Sequence, residues 1–164
     1  MIPFDINKFE GDAYPTYAWA VNTVEVEADT LTGTVKTVGA WGAYDVGTPI
    51  DLNIVTGQME GGLLQGIGYA STEQMDCDEH GVIRNTGLND YIIPCAADVP
   101  NLNVILHVTE YPNGPYGAKG AGELPLVGVP SAYAHALEQA LGVKISHVPY
   151  SAEDVLNALK EAGK

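Results

Sequence analysis

The sequence has 164 residues, which suits one domain with a substantial hydrophobic core. Asp and Glu outnumber Lys and Arg by 21 to 7, and the net charge of −14 argues against nucleic acid or anionic lipid as a partner. No apolar run reaches the roughly 20 residues of a membrane span, and the N-terminus lacks a signal-peptide pattern, so a cytoplasmic protein is expected. Cys77 and Cys95 have no CxxC spacing, so two reduced thiols are expected.

Residues 1–16 carry Pro3, Gly11 and Pro15 without a periodic pattern. We expect them to form an N-terminal segment that lies over a surface of this chain or of a partner. Residues 17–164 are expected to form a single subdomain.

The first regular pattern is an alternation of apolar and polar residues that predicts a half-buried strand, with Val24 and Val26 on its inner face. Residues 29–33 form a turn that ends in glycine, and residues 34–47 supply β-branched and aromatic residues for a returning strand. A β-hairpin is predicted.

Residues 55–74 show the apolar spacing of a helix, although five glycines occur between positions 57 and 68. Each interior glycine costs a helix about 1 kcal/mol relative to alanine. Such a composition favours close approach by another backbone or by a ligand, and a glycine-rich helix packed on a sheet explains it equally well. The predicted core stripe is Met59, Leu63, Ile67 and Ala70.

The middle of the chain predicts further strands. Residues 78–81 read as a turn with flanking strands, and residues 103–111 as another strand. Pro94 and Pro100 bracket a loop between these two regions.

The C-terminal part predicts two helices. Ser131 is a suitable N-cap for a helix with Tyr133, Leu137, Ala140 and Leu141 on one stripe and Gly142 just past its end. Residues 145–150 look extended, and a capping box from Ser151 to Asp154 then begins a last helix, with Val155, Leu156 and Leu159 as its apolar residues. The predicted fold class is α+β, with antiparallel strands and about three helices.

The stretch GPYGAKGAGE, residues 114–123, combines four glycines with one terminal carboxylate, Glu123. It matches neither a Walker A loop nor GxGxxG, so a phosphate cradle is disfavoured. Glycines let backbone N–H groups approach a ligand closely, and Glu123 would then lie beside that ligand. The alternative is an exposed loop acid near a helix start, favoured by the helix dipole.

Other candidate side chains carry a weaker signal. The Gln58 amide has donors and an acceptor suited to a heterocycle, but a polar residue in a first helical turn is commonly just solvated, so Gln58 alone indicates almost nothing. The four histidines form no HxxxH or HExxH pair, so no metal ligand is assigned. Asp45, Asp51, Glu60 and Asp90 are possible second carboxylates, and nothing in the spacing places them near Glu123.

Three segments, taken together, resemble one family: GQMEGGLLQGIGY at 57–69, DYIIPCAADVP at 90–100 and GPYGAKGAGE at 114–123. In order and spacing they are similar to the molybdopterin-binding subunit or domain of the molybdenum hydroxylases, the family of xanthine dehydrogenase, aldehyde oxidoreductase and nicotinate dehydrogenase. The resemblance runs from about Tyr17 to the last helix.

The resemblance implies a role for each matching residue. Glu123 would be the active-site base, and Gln58 would contact the pterin. The loop backbone at Lys119, Gly120, Ala121 and Gly122 would lie against the cofactor. The implied reaction is oxidative hydroxylation of a purine-like or other N-heterocycle or of an aldehyde, with a molybdenum cofactor in a dinucleotide form.

The resemblance covers only the C-terminal portion of such a molybdopterin-binding subunit. It implies a small subunit, a split-gene product or a fragment that binds cofactor weakly or not at all by itself. A larger molybdopterin-binding subunit, an iron-sulfur subunit and an FAD subunit would be its partners. The alternative is a non-catalytic remnant or assembly module that retains the fold without cofactor.

Overall fold

The computed structural model describes residues 3–14 and 16–164. Met1, Ile2 and Pro15, which belong to the predicted N-terminal segment, lie outside the described residues, and the boundary between residues 16 and 17 stays a prediction. The described parts contain three strands and three α-helices, so the α+β class is confirmed.

The first two strands form the predicted hairpin. β1 (Ala20–Ala28) and β2 (Val35–Asp45) pair in antiparallel register, with an irregularity between Glu25 and Val26. The Asp29 carboxylate accepts the Leu31 N–H at 2.8 Å and so closes the turn between the strands.

The third strand, β3 (Asn101–His107), pairs with β2 in parallel, so the sheet order is β1-β2-β3. The expectation of antiparallel strands alone is therefore wrong, because the sheet is mixed. The first helix, α1 (Leu52–Ser71), lies in the connection from β2 to β3 and returns the chain to the same end of the sheet. β3 also ends four residues before the predicted Tyr111, at His107.

The predicted core stripe of α1 is confirmed. Its N-cap is Asp51, whose carboxylate accepts the Ile54 N–H at 3.0 Å. All four stripe residues of α1 are buried: Met59, Leu63, Ile67 and Ala70. They pack in one hydrophobic core with side chains of the sheet and of the two later helices.

Two glycines of α1 allow close approach of the second helix, α2 (Leu124–Leu141). A Cβ on Gly62 would lie 3.0 Å from the Pro125 ring, and a Cβ on Gly66 would lie 2.5 Å from the Val129 Cβ. At these two positions, the glycines predicted to permit close approach do so for a neighbouring helix. Gly57 and Gly61 differ, because a Cβ there would meet nothing within 4 Å.

The predicted start of α2 is wrong. The helix begins at Leu124 and continues through Pro130, so Ser131 is a residue of the helix interior and not its N-cap. Proline normally interrupts a helix, but here Pro130 lies inside α2, one residue before the predicted N-cap. The predicted end at Gly142 is confirmed by its left-handed φ of 64°, whereas Ala140 is exposed and lies outside the buried stripe.

The last helix, α3 (Ala152–Glu161), has the predicted capping box between Ser151 and Asp154. Val155 and Leu159 are buried, while Leu156 is 39% exposed. Another prediction is wrong, because the turn at residues 78–81 is flanked by a single bridge rather than by strands. Residues 145–150, predicted as extended, lie outside any strand and bend at residues 147–149.

The helix contact gives a stability prediction. The Gly66→Ala variant should lower the free energy of unfolding by about 1–3 kcal/mol, because the new methyl group overlaps Val129, a stiff β-branched side chain. The matched variant Gly61→Ala should raise it by up to about 1 kcal/mol, since that position is exposed and open. Urea unfolding of both variants checks this, and equal effects would contradict the close packing of α1 and α2.

Candidate active site

The glycine-rich loop of residues 114–123 is fixed to the end of β2 by backbone hydrogen bonds. The Thr48 N–H donates to Gly117 O at 2.9 Å, and the Lys119 N–H donates to Val46 O at 3.0 Å. Gly47 makes this approach possible, because its φ is 67° and a Cβ there would lie 2.5 Å from Gly117 O. The loop backbone therefore has a fixed position relative to the sheet.

The Lys119 side chain points into the protein and anchors the loop. Its Nζ lies 2.6 Å from Asp45 Oδ2, and each of the two side chains is only 8% exposed. Nζ also donates to Tyr17 O at 3.1 Å. The ammonium group is thus bonded to Asp45 and to the Tyr17 carbonyl. Only the backbone of Lys119 therefore contributes to the candidate site.

The ion pair also determines the protonation state of Asp45. Burial alone would raise the pKa of this carboxyl. Hydrogen bonds from Lys119 and from the Gly47 N–H, together with the positive charge of Lys119, outweigh burial and hold the pKa below its usual value. Asp45 is therefore a structural anion.

Glu123 occupies the N-cap position of α2, but its side chain makes no capping hydrogen bond. The carboxylate is exposed, and its Oε1 accepts a hydrogen bond from Gln65 Nε2 at 3.0 Å. The positive end of the helix dipole favours a negative charge at this position. Within the described residues, no hydrogen-bond partner is found for the second oxygen, Oε2.

The structure brings Gln58 to the same place. Gln58 Nε2 donates to Gly122 O at 3.0 Å. Gln58 and Gln65 are seven residues apart in α1, close to two helical turns, so both amides lie on the helix face that meets the loop. One face of α1 thus holds both the loop carbonyl and the loop carboxylate.

Three exposed glycines, which we together call the glycine surface, accompany these two contacts: Gly61, between the two glutamines in α1, and Gly120 and Gly122 in the loop. A Cβ at any of the three positions would meet nothing within 4 Å. Ala121, between the two loop glycines, is half-buried and packs against the core. The exposed backbone beside Glu123 is therefore accessible to a bulky group.

One cleft of the protein lies away from these residues. It has a volume of about 920 Å³ and is lined by the first residues of β2, by Ile67 and Tyr133 and by the loop around Pro94, but by no residue of the glycine-rich loop. This cleft therefore does not indicate the candidate site. The candidate site is located instead by Glu123, the two glutamines and the glycine surface.

Among the described residues, no hydrogen bond or ion pair joins the other predicted carboxylates, Asp45, Asp51, Glu60 and Asp90, to Glu123. Asp51 caps α1, and Asp90 accepts a hydrogen bond from Asn89 at 3.0 Å. In the parts of the chain that the structure describes, no group of three or more His, Cys, Asp or Glu side chains is placed to hold a metal ion. None of the helices in those same parts combines the length and apolarity of a membrane span.

Sequence reasoning missed Gln65. It belongs to the same quoted motif as Gln58, and the interval of seven residues already placed both amides on one helix face. Its partner Glu123 lies 58 residues away, a distance over which spacing carries no information.

Comparison with known proteins identifies the family. The family model described as the molybdopterin cofactor-binding domain matches residues 2–100, more than half of the chain. The chain belongs to this molybdopterin cofactor-binding domain family. The match includes Gln58 and Gln65 and ends before the glycine-rich loop.

Individual relatives extend the match over the loop. The carbon monoxide dehydrogenase large chain of Hydrogenophaga pseudoflava is 34% identical over 149 residues, covering 89% of this chain and 19% of that protein. The aldehyde oxidoreductase of Megalodesulfovibrio gigas is 35% identical over 152 residues, covering 92% and 16%. The uncovered tenth of the chain is too short to reach residues 114–123 from either terminus, so the loop falls inside both matches.

The fold agrees with these relatives. The crystal structure of quinoline 2-oxidoreductase from Pseudomonas putida 86 superposes with a TM-score of 0.77 at 34% identity, covering 83% of this chain and 18% of that one. The resemblance to the molybdenum hydroxylases is thus confirmed. The molybdopterin-binding-domain chain spans less than a fifth of the length of each of these three proteins.

The buried ion pair gives a prediction for the anchoring of the loop. Lys119→Met should lower the free energy of unfolding by about 3 kcal/mol at pH 7, because it leaves the Asp45 carboxylate buried without a partner. The exposed Lys36→Met is the matched control and should change stability by less than about 0.5 kcal/mol.

The lowered pKa of Asp45 predicts how the stability difference between wild type and Lys119→Met changes with pH. Since the folded-state pKa of Asp45 is lowered, its stabilisation is present above the unfolded-state value of about 4 and is lost as the pH falls through the folded-state pKa. The difference between wild type and Lys119→Met in urea unfolding should therefore narrow from pH 7 towards acid. A difference that widens in acid would contradict the assignment.

Proposed function

We propose that this chain supplies the catalytic base, Glu123, and part of the molybdopterin site of a molybdenum hydroxylase. One observation carries the proposal: the Glu123 carboxylate lies at a helix N-terminus beside an exposed, side-chain-free surface, in a chain of a molybdopterin-binding family. The two glutamines of α1 hold the loop in this arrangement.

The residues present fit such a cofactor. A pterin is a flat heterocycle with several N–H donors and acceptors, and the backbone at Gly120 and Gly122 is open to its approach. Gln58 commits its NH₂ group to Gly122 O, which leaves its carbonyl oxygen as an acceptor for a ring N–H. Lys119 and Ala121 would contribute backbone only. A dinucleotide form of the cofactor is part of this proposal.

When bound, the cofactor supplies the two-electron oxidation of the substrate carbon and the oxygen atom added to it. Glu123 accepts a proton at Oε2, while Oε1 stays on the Gln65 amide. A positioned general base typically contributes about 10² to 10⁴ in rate. The proposed substrate is a purine-like or other N-heterocycle or an aldehyde, in a xanthine dehydrogenase-like reaction.

This chain matches less than a fifth of the length of its relatives, so we propose that the rest of the molybdopterin-binding region is polypeptide outside this sequence. A larger molybdopterin-binding subunit would supply the remaining walls of the cofactor and substrate sites. Cys77 and Cys95 are both exposed and belong to no metal-binding group among the described residues, so electrons would leave through an iron-sulfur subunit and an FAD subunit. The complex is proposed to be cytoplasmic.

The Glu123→Gln variant tests the catalytic assignment. In the complex assembled with these partner subunits, turnover should fall at least about 100-fold, because the isosteric amide cannot accept the proton. Molybdenum and pterin content should be unchanged, since the side chain keeps its size. The matched control is Glu161→Gln at the exposed end of α3, which should retain wild-type turnover.

Two results would contradict the proposal. Wild-type turnover of a metal-loaded Glu123→Gln complex would show that the base is another residue. A complex that is fully active without this chain would favour the alternative, a remnant or assembly module that retains the fold without a catalytic part.

A further inference from the structure

We infer that Gln65 is a positioning residue for Glu123, which fixes one carboxylate oxygen so that the other faces the glycine surface. The inference rests on the proposed function, because it concerns the base of that same site. It differs from the cofactor contact proposed for Gln58, since the Gln65 amide nitrogen lies 3.0 Å from Glu123 itself.

Few contacts restrict the conformation of the Glu123 side chain. Its side chain is exposed and makes no capping hydrogen bond to its own helix. Within the described residues, the Gln65 amide is the one hydrogen-bond donor found for its carboxylate. A long exposed side chain samples several rotamers, so a single directional contact determines where its oxygens point.

The part of α1 that carries Gln65 is packed against α2 and the core. Gln65 lies between Gly62 and Gly66, two positions where an added Cβ would lie 3.0 Å or less from a side chain of α2. Its neighbours in the helix, Leu63 and Ile67, are buried in the core. The backbone that carries the Gln65 amide is therefore held in a packed part of α1, while the side chain itself is exposed and reaches Glu123.

The hydrogen-bond donor beside Glu123 is uncharged. A neutral amide can hold one carboxylate oxygen without placing a full positive charge beside it. Asp45 in the same chain has the opposite arrangement, because the Lys119 ammonium is its partner and stabilises the charged form. The carboxylate that anchors the loop is paired with a cation, while the proposed base is held by an uncharged donor.

A spectroscopic test uses the full chain without cofactor. In nuclear magnetic resonance spectra, the Glu123→Ala variant should move the hydrogen-bonded Gln65 side-chain proton upfield and accelerate its exchange with water. Gln58 is the internal control, because its amide donates to the Gly122 carbonyl and should keep its shift. Unchanged Gln65 resonances would overturn the contact.

A kinetic test uses the assembled complex. Gln65→Leu should lower kcat about 10- to 100-fold with KM and molybdenum content unchanged, because the base is intact but less well oriented. Gln65→Glu, which has nearly the shape of glutamine, should lower kcat further than Gln65→Leu, because a second carboxylate repels Glu123. The exposed Gln139→Leu is the control and should be fully active.

The outcomes separate this inference from the proposed function. If Glu123→Gln abolishes turnover while both Gln65 variants keep the wild-type kcat, the positioning role is wrong and the proposed function stands. Equal losses in the two Gln65 variants, accompanied by loss of molybdenum, would show a purely structural role. Full turnover of Glu123→Gln would overturn both.

Discussion

The close approach of α1 and α2 at Gly62 and Gly66 determines where Glu123 lies. A side chain at either glycine would push α2 outward, and Glu123 is the N-cap residue of that helix. The approach brings the start of α2 within hydrogen-bond reach of the face of α1 that carries Gln58 and Gln65. The cost of glycine in a helix is thus offset by a helix contact that forms the candidate site.

The other end of the loop is held by a different interaction. Lys119 reaches Asp45 at the end of β2, so the loop is fixed at one side by a buried ion pair and at the other by two amides. Between these attachments, Gly120 and Gly122 present backbone without side chains. A rigid frame with an open centre suits a site in which a base must be held in place before the reaction begins.

Local features of the fold could be predicted from the sequence, and relations between distant segments could not. The hairpin, the core stripe of α1 and the Ser151 capping box depend on neighbouring residues and are confirmed. The parallel direction of β3 depends on a long crossover, and the start of α2 was obscured by Pro130. For the candidate site, sequence motifs indicated Glu123 and Gln58. The ion pair of Lys119 with Asp45 joins residues 74 positions apart, so only the folded structure reveals it.

The central claim is that Glu123 reaches a molybdenum cofactor across the glycine surface. A cryo-electron microscopy structure of the molybdenum-loaded complex tests it most directly. We expect the pterin to cover Gly120 and Gly122, with the Glu123 carboxylate in contact with the metal's coordination sphere and the Gln65 amide still bonded to Oε1. A cofactor bound entirely by another chain, with Glu123 in solvent or covered by a partner side chain, would contradict it.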